Sequence, residues 1–426
     1  MNNKNIPIKS LFALLVLIFY FLGYYIREIS NGAGNGDLEH HIWKVIKDLE
    51  KDYYLTLKNY LDYSEATFPF FHSIQALFNP FIKTNIEYTF SNTLFNLLII
   101  TVFFYYLKKK EIFTSKQNII LVSFLILISP WFRSSSYWGM TENMAFFFVI
   151  PSLYYLNKMM QANHFKNDFL LIFFLSLTIY TRQQYVFLVL FHLIYIFMNY
   201  EFKRIIKNLS LYFILSLPGL YTYQLWGVFG NISNATSASH YISIDFIYKN
   251  IIKISTILFF YTIPVMIINL KKSLKLILNK KFFYVFIILT IIELILFKDI
   301  SFQLKGGGYV VKFNRFFLDN SIYSLIFLSS FYFSILYFLL RKNINYIIIL
   351  IFLFIVLGLS DDLYQEWFDP LYIFILYIFL PSKHIKLLNL NKTSSIYLLY
   401  IWEFLVLSVA IIYYHYYLEF PFFYYF

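Results

Sequence analysis

Apolar residues gather in thirteen stretches, at 11–26, 87–107, 118–132, 143–157, 169–181, 185–199, 209–226, 251–270, 282–297, 321–340, 346–359, 368–381 and 396–417. Several are shorter than the ~20 residues that a helix needs to cross a bilayer. The joints between them are polar and mostly short. This pattern predicts an all-α polytopic membrane protein of about 13 transmembrane helices. No internal repeat or long linker interrupts it, so 1–426 reads as a single membrane-embedded domain. The first stretch has the length of a signal peptide. No small-x-small cleavage site follows it, so it reads as an uncleaved first helix.

The longest joint, 27–86, has a pattern of its own. Leu38, Ile42, Val45, Ile46, Leu49 and Tyr53 recur at helical spacing, with Lys44, Lys47, Asp48 and Lys51 on the other side. An amphipathic helix follows, suited to lying on the outer membrane surface with Trp43 at headgroup level.

Charge orients the chain. With the N-terminus in the cytoplasm, the inside joints hold 21 of the 35 Lys and Arg residues but only three of the 23 acids, Glu111, Asp168 and Glu201. The positive-inside rule is obeyed hairpin after hairpin. The net charge of +12 is therefore an orientation signal and not a nucleic-acid footprint. The composition, 60% hydrophobic and 14% charged, with a mean hydropathy of +0.63, agrees with a membrane chain. The 40 Tyr and 53 Phe, with abundant Ile, Asn and Lys, fit an AT-rich coding sequence and do not by themselves indicate sugar binding. Zero cysteines exclude thiol catalysis, disulfides and thiolate metal sites.

The chemistry concentrates outside. "GDLEHHIW" at 36–43 packs Asp37, Glu39, His40 and His41 into five positions. Asp37 reads as a helix N-cap and Glu39 as a first-turn acid. Either carboxylate also reads as a general base that deprotonates an acceptor hydroxyl, and a cap can be catalytic. Asp37 with His41 is a partial ligand set for a divalent metal. In "EATFPFFH" at 65–72, Glu65 and His72 bracket Pro69; both read as packing residues or as substrate contacts. "SPWFRSSSYWGMTENM" at 129–144 forms a polar turn in which Arg133 and Glu142 either pair or face the site. "TRQQYVF" at 181–187 sets Arg182 and Gln183 between apolar runs, where an arginine needs a partner. A lipid phosphate suits guanidinium geometry. The basic outer loop 298–320 carries Lys305, Lys312 and Arg315 around "GGG" and reads as a cover for a phosphate-bearing substrate, or as a loop of snorkelling side chains. It is no P-loop. Asp361, Asp362, Glu366 and Asp369 form an acidic turn that solvation accounts for.

With these motifs in place, roughly residues 10–190 resemble the GT-C class of integral-membrane glycosyltransferases. "GDLEHHIW", "EATFPFFH" and "RQQYVF" are similar to the acidic first-loop, LPG-like and Arg-Gln motifs of the dolichyl-phosphate-glucose alpha-1,2-glucosyltransferase family. Leu38 separates the two acids where that family has them adjacent, and Gln184 stands where it has Thr. The resemblance implies a GT-C-like fold and a donor sugar on a polyprenyl phosphate. Asp37 or Glu39 would be the base, and Arg182, with Arg133, Arg315 or Lys312, would hold the leaving phosphate. His40, His41, Glu65, His72, Gln183 and Glu142 would line the substrate site. The expected partners are a lipid-linked sugar or oligosaccharide, a glycan acceptor and membrane lipid. The expected place is the periplasmic face of a bacterial inner membrane, in surface-polysaccharide synthesis. Two alternatives stay open. One is an O-antigen polymerase that joins undecaprenyl-diphosphate-linked repeat units, for which a divalent Mg or Mn ion would be expected. The other is a lipid-linked oligosaccharide flippase.

Overall fold

The computed structural model describes residues 8–30, 34–63, 68–162, 164–226, 244–297, 310–311, 314, 318, 321–340, 343–360, 363 and 365–419. Every one of the thirteen apolar stretches is helical in it. Five helices are long and apolar enough to cross a membrane, and a bent pair at 116–137 makes a sixth if it counts as one span. The chain is thus all-α with several helices of membrane-spanning character. Thirteen full spans is a finer statement than these lengths support, because several of the helices are too short or too charged.

The described residues group into two compact units. Unit 1 takes in 1–183, 207–238 and 369–426, and unit 2 takes in 184–206 and 239–368.

Unit 1 begins with α1, Ile8–Tyr25. Ala13, Val16, Tyr20 and Gly23 are buried, while Leu11, Leu14, Leu15, Ile18 and Leu22 are exposed. A helix with apolar side chains on its outer face as well as its inner one is built for a non-aqueous surrounding. Its C-terminus closes with Arg27 in the left-handed region, φ 51°. Arg27 N–H donates to Tyr24 O at 3.1 Å and Glu28 N–H to Gly23 O at 2.9 Å. This is the Schellman pattern, with arginine where glycine is usual. The turn folds Glu28 back beneath the helix end.

α2 runs through Gly34–Asp37, a π-helical turn Leu38–Trp43, and Lys44–Lys51. Its apolar stripe exists as expected, but it does not face lipid. Val45, Leu49 and Tyr60 form a small core with Ala76 and Trp226, and α2 packs along α4, Phe70–Phe78. Between them lies the short α3, Tyr53–Lys58, capped by Asp52, whose Oδ1 accepts from Leu55 N–H at 3.0 Å. The amphipathic helix is therefore a lid on protein, because the loop residues after it fold back and cover the stripe.

Next come α5, Asn85–Lys109, and α6, Lys116–Leu125. Ser129 then caps α7, Pro130–Tyr137, by accepting from Phe132 N–H at 3.2 Å, with proline at the first helical position. The chain bends there by 68°. All eight residues of α7 are buried, so the expected polar turn is a buried helix. α8, Thr141–Gln161, and α9, Phe165–Thr181, form a tightly packed hairpin.

Unit 2 opens with α10, Val186–Asn199. α11, Phe202–Leu225, starts in unit 2 and ends in unit 1. α12, Ile244–Ile268, α13, Leu270–Ile277, and α14, Lys280–Phe297, follow. α15, Ile322–Leu340, packs on both α12 and α14, and α16, Ile344–Gly358, packs on α10 and α12. Asn250 finishes α16 by donating to Gly358 O at 3.0 Å and Ser360 O at 2.6 Å, which satisfies carbonyls that a helix end leaves free.

The chain returns to unit 1 with α17, Leu371–Phe374, which runs into a π-helical turn at Ile375–Phe379. Lys110 closes that turn by donating to Ile378 O at 2.6 Å and to Leu380 O. The short α18, Ser382–Leu387, and α19, Thr393–Glu419, end the chain. Ile401, Leu405, Val409 and Ile412 form an exposed stripe along α19.

Candidate functional site

The α8–α9 hairpin positions the first charged pair. Glu142 lies in the first turn of α8, and Arg182 is the residue that ends α9, its N–H donating to Thr178 O at 2.8 Å. A carboxylate at a helix start and a guanidinium at a helix end are each favoured by the peptide dipoles. The antiparallel hairpin brings those two ends together, and Arg182 Nη2 pairs with Glu142 Oε1. Glu142 is buried, while Arg182 is partly exposed.

The first loop comes to this pair. Asp37 is half-buried, four residues before His41 on the same helix. Burial holds the Asp37 carboxyl above its ordinary range, and the charges of His41 and Arg182 pull it back down. Two residues 145 positions apart are thus close enough for the charge of one to act on the other.

A second layer braces this arrangement. His72 on α4 is fully buried and faces the backbone of His41; burial drives its pKa down to about 3, so it is neutral. Its Nδ1 and Tyr60 Oη share a 2.8 Å hydrogen bond. Tyr60 stacks on Trp226, ring centroids 5.7 Å apart and planes within 8°. Trp226 in turn donates from Nε1 to Leu57 O at 2.9 Å. Tyr60 and Trp226 are 166 positions apart and carry no local motif, so nothing in the sequence points to their stacking.

The other expected residues separate from this cluster. Glu39 and His40 are exposed, because the helix that turns Asp37 and His41 inward turns their neighbours outward. Gln183 begins a single helical turn, Gln183–Tyr185, directly after Arg182. Glu65, Lys312 and Arg315 lie outside the described residues.

Arg133 does not pair with Glu142. It is fully buried. Its Nε donates to Glu28 Oε1 at 3.0 Å and its Nη2 to Glu28 Oε2 at 2.5 Å, and the guanidinium lies 4.4 Å from the Phe19 ring centroid. A carboxylate and an aromatic face already occupy what a phosphate would need. Glu28 was legible only as an acid just past the first helix.

The acidic turn also departs from expectation. Asp369 is fully buried, not solvated. Glu403 of α19 is fully buried as well and accepts from Tyr372 Oη. Among the described residues, no three His, Asp or Glu side chains come together as a metal-ligand set, so Asp37 and His41 gain no third ligand there.

Compared with protein-family models, with curated proteins and with solved structures, the chain finds no match in any of the three.

Proposed function

We propose that unit 1 transfers a glycosyl group from a polyprenyl-phosphate-linked donor to a glycan acceptor, at the periplasmic face of a bacterial inner membrane. The proposal takes the chain as a GT-C-like membrane domain of about 13 helical segments with a cytoplasmic N-terminus. It rests on one observation: Asp37, half-buried with its proton affinity raised, lies within the electrostatic reach of Arg182.

The chemistry follows from that placement. An acceptor hydroxyl attacks the anomeric carbon of the donor and loses its proton to the Asp37 carboxylate. The bond from that carbon to the phosphate oxygen breaks, and its electron pair leaves with the phosphate. A raised pKa makes Asp37 a stronger base than an ordinary aspartate. Arg182 neutralises the charge that grows on the leaving oxygen, exchanging its resting partner Glu142 for the phosphate. Neutral His72, hydrogen-bonded to Tyr60, stands close to His41 and backs the turn that carries Asp37.

The test is surface-polysaccharide banding in a deletion strain carrying wild type, Asp37→Asn, Glu39→Gln or Arg182→Ala, each checked for membrane insertion. Loss of one sugar or side branch with Asp37→Asn supports a single-sugar transferase. Single repeat units without a ladder indicate a polymerase. Wild-type banding with both Asp37→Asn and Arg182→Ala sinks the proposal.

A further inference from the structure

Unit 2 holds one acid deep in an apolar helix cluster. Glu293 sits four residues before the end of α14 and is 6% exposed. The helices α12, α14 and α15 meet nearby through an apolar cluster in which Ile252, Leu325 and Ile326 pack with Leu294 and Ile322. Around its carboxylate stand three fully buried hydroxyls, Ser255 of α12 and Ser329 and Ser330 of α15. An acid inside an apolar bundle is costly unless its surroundings serve it.

The hydrogens can be counted. Ser329 Oγ lies 3.2 Å from Glu293 Oε1, Ser255 Oγ lies 2.7 Å from Ser329 Oγ, and Ser255 Oγ lies 2.8 Å from Ile252 O. These three contacts need three hydrogens, and two hydroxyls supply two. With a proton on Glu293 the chain is complete: the carboxyl donates to Ser329, Ser329 to Ser255, and Ser255 to the Ile252 carbonyl. Without that proton the hydroxyls can turn the other way, Ser255 donating to Ser329 and Ser329 to the carboxylate. Ser330 Oγ and Glu293 Oε2 are both buried and without a hydrogen-bond partner, and a turn of the Ser330 side chain about its Cα–Cβ bond would let it donate to the ionised oxygen. Rotating the hydroxyls of Ser255 and Ser329 and the side chain of Ser330 serves both states of the acid without moving the backbone.

We propose that Glu293 with Ser255, Ser329 and Ser330 is a proton-exchange site within unit 2, a carboxyl that takes up and releases a proton while the serines reorient. Glu293 lies about 6 Å along the axis from the end of α14, at 1.5 Å per residue, which is the short route for the proton.

The packed helices carry the following titratable groups. On α15 the titratable side chains are the phenols Tyr323, Tyr332 and Tyr337. On α12, Lys253 is buried and leaves the helix about 200° round the axis from Ser255, Lys249 is exposed, Asp245 stands about 15 Å along the axis before Ser255, and Tyr261 accepts from Gln365 Nε2. Lys280 and Lys281 on α14 are about 18–20 Å away along the helix. The lysines of α13, Lys271, Lys272 and Lys275, belong to that same far end.

The test uses the full-length protein in lipid nanodiscs and the infrared carboxyl stretch, recorded against pH for wild type and Glu293→Gln. Glutamine keeps the volume and a donor, so the variant retains the hydrogen count of the protonated state. The difference between the two is expected to show a protonated carboxyl that converts to carboxylate as pH rises, unaffected by Na⁺. Ser330→Ala removes a donor to the ionised form and is expected to move the midpoint up by about one pH unit. If Glu293→Gln does not fold, the Ser330→Ala shift alone carries the test. A carboxyl that keeps one form across the pH range overturns the proposal. Conversion driven by Na⁺ at fixed pH overturns it in favour of a sodium site.

Discussion

Arg133 grips both oxygens of Glu28 across 105 residues of chain, with Nε and Nη2 at 3.0 and 2.5 Å, in a place that neither side chain shares with solvent. Gly23 makes room for them: a Cβ there would come within 2.6 Å of Tyr137 Oη and 2.7 Å of Glu28 Oε2. The pair ties the end of α1 to α7, and it reassigns Arg133 from the substrate to the scaffold.

Breaking that pair one side at a time leaves a buried charge alone. Glu28→Gln and Arg133→Met are each expected to cost about 3–5 kcal/mol. The double variant is expected to recover part of the loss. Denaturant unfolding in detergent micelles measures this, and single-variant costs below about 1 kcal/mol would show that the pair does not hold the fold.

Arg27 pays for the Schellman turn with a left-handed backbone that an L side chain resists by ~1–2 kcal/mol. Arg27→Gly keeps the turn and relieves the strain, so it is expected to raise stability by about 1 kcal/mol. A lower melting temperature for Arg27→Gly would mean that its side chain does more for the fold than its backbone costs.

Asp37 and Glu39 are two residues apart, and one turns inward while the other is exposed. Asp37→Asn is therefore expected to lower glycosyl transfer by ~10²–10⁴-fold, and Glu39→Gln to leave it near wild type. The base works ionised, so activity falls as pH drops through its pKa, and the upward shift puts that fall at higher pH than for an ordinary aspartate. Arg182 and His41 hold the shift in check. His41→Asn should therefore move the acidic limb up, and a limb that stays still or moves down separates Asp37 from the base.

His72 carries its own pH signature. Its folded pKa of about 3 lies below the ordinary 6.5, so between those values the unfolded chain binds the extra proton. Stability is then complete above pH 6.5 and falls, by up to several kcal/mol, as pH drops toward 3. His72→Asn removes the group and should flatten the loss in that window, as read by thermal unfolding from pH 4 to 7. An unchanged pH slope would place the acid sensitivity elsewhere.

The helices were readable because a membrane chain repeats one simple solution, apolar residues in long runs. Even the lid helix α2 announced itself through Leu38, Ile42, Val45, Ile46 and Leu49. What covers that stripe was not readable, since α4 and Tyr60 reach it only after the chain folds back. The same limit hid the partners of the charges. Arg133 lies nine residues before Glu142 in sequence, yet each took a distant partner because helix ends, not sequence neighbours, meet in space. Asp369 looked solvated among other acids, and only its burial in the folded protein removes it from water. Asp37, His41, His72 and Arg182 were all chosen from sequence because ionisable groups are scarce in such a chain. Their choice over Glu39 and His40 depended on a rotation about the α2 axis that composition does not encode.

That rotation has a source. The π-helical turn at Leu38–Trp43 is a widened turn set into an otherwise α-helical stretch. Behind it, Val45, Ile46 and Leu49 are buried and fix α2 to the protein; ahead of it, Asp37 is half-buried within reach of the charge of Arg182. The turn therefore sets the angular phase between the anchored part and the reactive part. Taking out one residue would swing Asp37 by about 100° while the anchor stayed where it is. At exposed Glu39 and His40, this segment tolerates a change of letter far better than a change of length.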